Sequence, residues 1–231
     1  MYKYNKTNTT IFTNRRYIQD TELHINSNSI PTAASGKFLG IYLDSKLKFS
    51  GHISHICGKL SKTVGIFYKI RYSVPQKILI NLYYSLFYPY LIYCNLIWAK
   101  TNQLHLEPVV RLQKKIIRII TNQNYLAHTD PLFSCTKILK FKDIHSFLVC
   151  QYVHKNFESF PVATHSFRTR SRGRLISEFQ RLNVTQQSIK YIGPTEWNRL
   201  PENLRQIEKF SVFKSELKKF LIGKYINSDA S

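Results

Sequence analysis

The thirteen carboxylates are the natural place to seek chemistry in this 231-residue chain, and they are scattered. Two-metal phosphoryl transfer needs acids close enough to hold Mg²⁺ ions about 4 Å apart. The sequence offers neither an Asp-Asp pair nor an Asp-x-Asp, and no G-x-S-x-G, Walker-type loop or H-E-x-x-H. Asp44 alone closes an apolar run, in "KFLGIYLDSKLKF" (Lys37–Phe49). A lone acid in that position serves as a turn former or helix cap rather than a catalyst. His52 and His55 are three residues apart, but no second ligand pair lies near them. Cys57, Cys94, Cys135 and Cys150 are far apart, form no C-x-x-C, and read as reduced, mostly buried thiols. No active site, metal site or cofactor site assembles from these residues.

The cations are concentrated where the acids are not. Lys and Arg total 34 against 13 Asp and Glu, a net charge of +21. Such an excess calls for a polyanion, with nucleic acid ahead of an acidic membrane surface and a merely basic soluble protein third. In "EPVVRLQKKIIRIIT" (Glu107–Thr121), Arg111, Lys114, Lys115 and Arg118 fall within an arc of about 100° on a helix. Val109, Leu112, Ile116, Ile119 and Ile120 lie opposite. One face packs, and the other presents a row of cations suited to phosphates; the competing reading is a solvated helix face. A second cluster, Arg168, Arg170, Arg172 and Arg174, alternates within "HSFRTRSRGRL" (His165–Leu175). In an extended chain these four would point to one side; on a loop they would simply be solvated.

These groups need elements to position them. Thr9–Thr13, Thr21–Ile25 and Lys37–Leu43 are short β-rich runs with polar connections. Ile53, Ile56, Leu60, Val64, Phe67 and Ile70 then recur at helical spacing, with His55, Lys59, Lys62 and Lys69 on the other face. Pro75 suits a first helical turn. Ile78–Ala99 runs 22 residues without a charge, nominally enough to span a bilayer. Its tyrosines are spread through the middle and Pro89 sits near the centre, so a buried, proline-interrupted helix pair fits better. Apolar-periodic helices follow over Leu132–Leu139 and Ile144–Phe157, and composition shifts near Phe160-Pro161. A short amphipathic helix over Phe210–Ile222 turns Phe213, Leu217 and Phe220 or Leu221 inward. The fold class expected is α+β, mainly α. No apolar core follows the basic start at Met1, so an intracellular location, nucleus or cytoplasm, is expected.

At this level of detail the order of motifs becomes distinctive. "KFLGIYLDSKLKFSGHISHICGKLSKTVGIFYKIR" resembles the segment just past the active site in reverse transcriptases of non-LTR (LINE-type) retrotransposons. There the pattern is Lys/Tyr-Phe-Leu-Gly, an apolar pair, Asp, then Leu-x-Trp/Phe and His-Ile before a helix. The likeness continues in "ILINLYYSLFYPYLIYCNLIWA", "LEPVVRLQKKIIRIIT" and "AHTDPLF", then in "HSFRTR", "SIKYIGPTEWNRLPENLR" and "FKSELKKFL". It covers nearly the whole chain.

The resemblance implies that residues 1–49 are the last palm strands, residues 50–158 a helical thumb, and residues 159–231 a basic C-terminal extension. Phe38, Leu39 and Gly40 would correspond to the primer-grip hairpin. "NKTNTTIF" (Asn5–Phe12) resembles the strand after the family's aromatic-Ala-Asp-Asp turn, which puts Lys6 where the family has a lysine assisting proton transfer to pyrophosphate. The Asp-Asp turn, its Mg²⁺, the fingers and the endonuclease would lie upstream of Met1. The chain departs from clades that end in a Cys/His zinc knuckle. The expectation is therefore a fragment without polymerase activity that binds RNA/DNA duplex or RNA through a basic thumb and takes no small-molecule substrate. The alternatives are a membrane-associated protein using Ile78–Ala99 and a functionless retroelement remnant.

Overall fold

Lys37–Leu43, one short β-rich run in the sequence, folds back on itself at Leu39-Gly40. In a computed structural model that describes residues 8–13, 23–25, 28–163, 174–177 and 180–225, β3 (Ser35–Phe38) pairs antiparallel with β4 (Ile41–Asp44). The partners Phe38 and Ile41 leave a two-residue turn, Leu39-Gly40, with φ of 45° and 82°. Two positive φ values mark the type I′ geometry that matches strand twist. Gly40 takes it freely, whereas Leu39 pays about 1 kcal/mol for a left-handed backbone. A second small hairpin pairs β1 (Leu23–Ile25) with β2 (Asn28–Ile30). Of the predicted run Thr9–Thr13, only Thr9 joins a bridge, to Thr32.

Asp44 ends β4 as a clasp. Its Oδ1 accepts the Lys46 and Lys48 backbone N–H groups at 3.1 and 2.9 Å, and Oδ2 accepts that of Phe49 at 2.6 Å. The carboxylate thereby holds a turn in which Leu47 and Phe49 both have positive φ, 51° and 58°. Helix α1 (Ser50–Ile70) starts directly after it. As its periodicity predicts, α1 buries Ile53, Ile56, Leu60, Val64 and Phe67.

The charge-free stretch is cut into short pieces. α2 (Gln76–Leu82) follows Pro75, widens into a π turn over Tyr83–Phe87, and continues as α3 (Tyr88–Ile92). Proline lacks an N–H and its ring crowds the carbonyl four residues back. The wide turn lets the Tyr88 N–H reach the carbonyl of Tyr83, five residues back, just before Pro89. The chain therefore passes the proline by a π turn instead of breaking there. α4 (Asn95–Trp98) completes the stretch. Tyr83, Phe87, Leu91 and Trp98 are fully buried in the protein core. Among the described residues no helix is long and apolar enough to cross a membrane.

α5 (Gln103–Ile120) begins four residues before the predicted start, capped by the Asn102 side chain, which accepts the Leu104 N–H at 3.0 Å. α6 (Asp130–Thr136) and α7 (Phe141–Lys155) follow. α7 is central: it packs on α3, α4 and α5. The tail adds α8 (Asn183–Gln186), α9 (Ile189–Asn198) and α10 (Glu202–Arg205) before α11 (Phe210–Gly223). α9, which is not among the expected elements, contains Gly193-Pro194. Gly193 is there for proximity: a Cβ would stand 3.0 Å from side-chain atoms of Val153 and Phe160, so glycine lets α9 lie close on α7. α11 buries Phe213, Leu217 and Leu221 with Phe220 half-buried, which settles the inward residue as Leu221. One continuous apolar cluster runs from Ile41 to Tyr225. The class is α+β, mainly α.

Candidate nucleic-acid interface

Two long helices carry the predicted cations, and their relative direction decides what surface they make. The Thr101 hydroxyl, just before α5, donates to the Lys48 carbonyl, just before α1, at 3.0 Å. Near the same end, the His52 and Trp98 rings meet edge-on at 5.6 Å. Further along, Cys57 on α1 feels the charge of Arg111 on α5, which opposes the larger upward push of burial on its thiol. The helices thus start together, pack side by side and run the same way.

Around α1, at 100° per residue, Cys57 lies at the edge of the buried arc nearest Arg111. Past that edge come Gly51, Ser54, Gly58, Ser61 and Gly65 within about 80°, all exposed. Beyond them stand Lys69, Lys62, His55 and Lys59, also exposed. A Gly/Ser floor therefore separates the cations of α5 from those of α1. A Cβ at Gly51, Gly58 or Gly65 would meet nothing within 4 Å, so these glycines serve no packing within the described chain. Each costs α1 about 1 kcal/mol relative to alanine.

Arg111, Lys114 and Lys115 are exposed, and among the described residues none has a carboxylate within ion-pair distance. Arg118 is partly committed: its Nε–H donates to the Ala127 carbonyl at 2.9 Å and its guanidinium lies 5.8 Å from the Tyr125 ring. The helix also brings Glu107, one turn before Arg111, onto the same face, so the row is not wholly free of acid. From Ser45 to Thr129, Glu107 is the single acid against twelve Lys and Arg. Arg174 is exposed beside the Val162–Leu175 bridge. Lys6, Arg168, Arg170 and Arg172 lie outside the described residues.

The hairpin tip is the other predicted group. Phe38 and Leu39 are 64% and 71% exposed. The Tyr93 hydroxyl donates to the Leu39 carbonyl at 2.6 Å and the Tyr93 ring lies under Gly40. Two apolar side chains are thus held out from the body on a strained, buttressed turn.

Sequence reasoning misses Gln113. It sits in the middle of the apolar face of α5 and is 1% exposed. Its Nε2 donates to the Tyr83 hydroxyl at 3.0 Å and the Leu139 carbonyl at 2.9 Å, while Oε1 accepts the Phe141 N–H at 2.8 Å. The signal was its azimuth: a polar residue flanked by core positions must find partners. His145 is similar, buried with Nδ1 3.0 Å from Asn95 Oδ1. Burial, aided by the charge of Lys100, holds its pKa down at about 4. Among the described residues no three His, Cys, Asp or Glu side chains converge on a common point.

Over 179 residues, 76% of this chain, the sequence is 25% identical to a Drosophila melanogaster protein described as "Probable RNA-directed DNA polymerase from transposon X-element". The chain is related to a transposon polymerase. It spans only 18% of that protein's length. No protein-family profile and no solved structure matches it.

Proposed function

We propose that this chain is the part of a LINE-type retrotransposon RNA-directed DNA polymerase that follows the catalytic palm, and that it holds template–primer duplex by its phosphates. The observation that carries this reading is the α1–α5 face: cations on both banks of a side-chain-poor floor, in a stretch with one acid. Phosphates fit such a surface because it supplies charge without directional base contacts. RNA-containing duplex is recognised by shape, phosphate and 2′-OH rather than by sequence. The bare floor allows a sugar–phosphate backbone close to the helix, where each Coulombic contact is strongest.

In this reading residues 50–158 act as the thumb and residues 159–231 as a basic extension, with Arg168, Arg170, Arg172 and Arg174 as a second set of contacts. Phe38, Leu39 and Gly40 present the hairpin tip to the primer end. The strained backbone at Leu39 is consistent with a positioning role. In this reading catalysis belongs to residues outside this chain.

The test is binding to an RNA/DNA duplex across a salt series. Neutralising about 6 phosphates gives a slope of log K against log salt near −4 to −5. Arg111→Ala combined with Lys115→Ala should weaken binding about equally for unrelated sequences. Unchanged affinity at low salt would remove the α1–α5 face from the reading. Primer extension with Mg²⁺ should yield no product, and activity would refute the claim that catalysis lies elsewhere.

A further inference from the structure

The far end of the two helices differs from the rest of the face. Tyr68 and Tyr72, at the end of α1, are 57% and 73% exposed. The guanidinium of Arg71 lies between them, 4.1 and 4.5 Å from the two ring centroids. Just past α5, Tyr125 is 73% exposed, with the Arg118 guanidinium 5.8 Å from its ring. Because α1 and α5 start together and run the same way, both arginine–tyrosine clusters lie at one end of the surface. Arg118 is fixed by its bond to Ala127. An arginine over one face of a tyrosine holds the ring still and leaves the other face open to a flat partner.

No other exposed Phe, Tyr or Trp stands on α1 or α5. The division matters chemically, because a duplex hides the faces of its bases and shows phosphates, while an unpaired nucleotide shows both. We infer that this end binds unpaired nucleotides, single-stranded template or product leaving the duplex, with bases stacked on Tyr68, Tyr72 and Tyr125 and phosphates on Lys69, Arg71 and Arg118. Base–aromatic stacking is sequence-tolerant because every base has a π face, and it is worth about tenfold or more in affinity per base. The inference rests on the proposed reading of the α1–α5 face as a nucleic-acid surface, but it assigns a different ligand chemistry to a different set of side chains. A protein partner fits less well: the cations at this end have no acid on α1 to balance them, which favours an anionic ligand.

The experiment compares three probes on the intact chain: a blunt RNA/DNA duplex, the same duplex with a six-nucleotide single-stranded overhang, and that overhang with abasic sites. The overhang should tighten binding at least tenfold, and the abasic overhang should lose most of that gain while keeping its phosphates. Tyr68→Ala with Tyr72→Ala should abolish the gain and leave blunt-duplex affinity within twofold, while the two Tyr→Phe changes should retain it. An abasic overhang as good as the normal one would overturn the stacking site. Equal binding of blunt and overhang probes would do so too, with the duplex reading left standing. If the chain binds none of the three, the duplex reading fails first.

Discussion

Between Ser45 and Thr129 twelve Lys and Arg share one acid, whereas from Asp130 to Tyr225 seventeen share eight. Several acids of the second stretch bond within the fold. Lys140 pairs with Asp130 at 2.7 Å, Arg199 with Glu196 at 2.8 Å and Lys219 with Glu216 at 2.7 Å. The Tyr225 hydroxyl donates to Asp143 at 2.6 Å and accepts the Lys140 N–H at 3.0 Å. The first stretch has no such closure, and its long helices meet through apolar side chains while their cations face outward. What differs is where the acids sit: the second region sets several against its own cations, while the first turns its cations outward with a single acid among them.

Substitutions should separate the two regions. The largest stability loss is expected at Gln113→Ala, which strands the Tyr83 hydroxyl, the Leu139 carbonyl and the Phe141 N–H in the core. About 3 kcal/mol or more should disappear from urea unfolding, with duplex affinity of the folded fraction unchanged. Acid comes next. His145 has a folded pKa of about 4 against an ordinary 6.5, because burial disfavours its charged form. The unfolded chain therefore binds the proton first: stability is complete above about pH 6.5 and declines toward pH 4. At pH 5 the decline is roughly 2 kcal/mol, and His145→Gln should flatten it. His52, also pushed down by burial and by His55, acts in the same direction.

On the outward face, Arg111→Ala, Lys114→Ala and Lys115→Ala together should cost tens of fold in duplex affinity and flatten the salt slope by about 2 to 3. Melting should be unchanged or slightly raised as self-repulsion falls. The smallest effect is the most diagnostic. Gly58→Ala with Gly65→Ala should stabilise α1 by about 1 kcal/mol per site, since each Cβ enters open space, yet weaken duplex binding. Stabilisation without loss of binding would remove the Gly/Ser floor from the interface.

Much of this organisation was legible in residue spacing. The apolar stripe of α1, the cation row of α5 and the inward residues of α11 follow from a period of 3.6, which depends on one helix at a time. Elements whose form depends on a neighbour were not legible. Gly193-Pro194 reads as a break until α7 lies against it. Pro89 reads as a kink until the π turn supplies the extra residue. The floor between the cation rows needs the shared direction of α1 and α5, which a hydroxyl–carbonyl bond between Thr101 and Lys48 fixes and no periodicity encodes. Arg118 looked as free as its neighbours because its partner is a backbone carbonyl in the following loop.

Three tethers bind the β3–β4 hairpin to the helices: the Asp44 clasp, the Thr101–Lys48 bond and the Tyr93 strut under Leu39. The hairpin is thereby anchored at both its tip and its base. These bonds tie Leu39 to the same end of the fold from which both cation rows start, as marks on a ruler share an origin. In the proposed reading, a duplex lying on those rows would have its end set off at a length fixed by protein geometry and indifferent to base sequence.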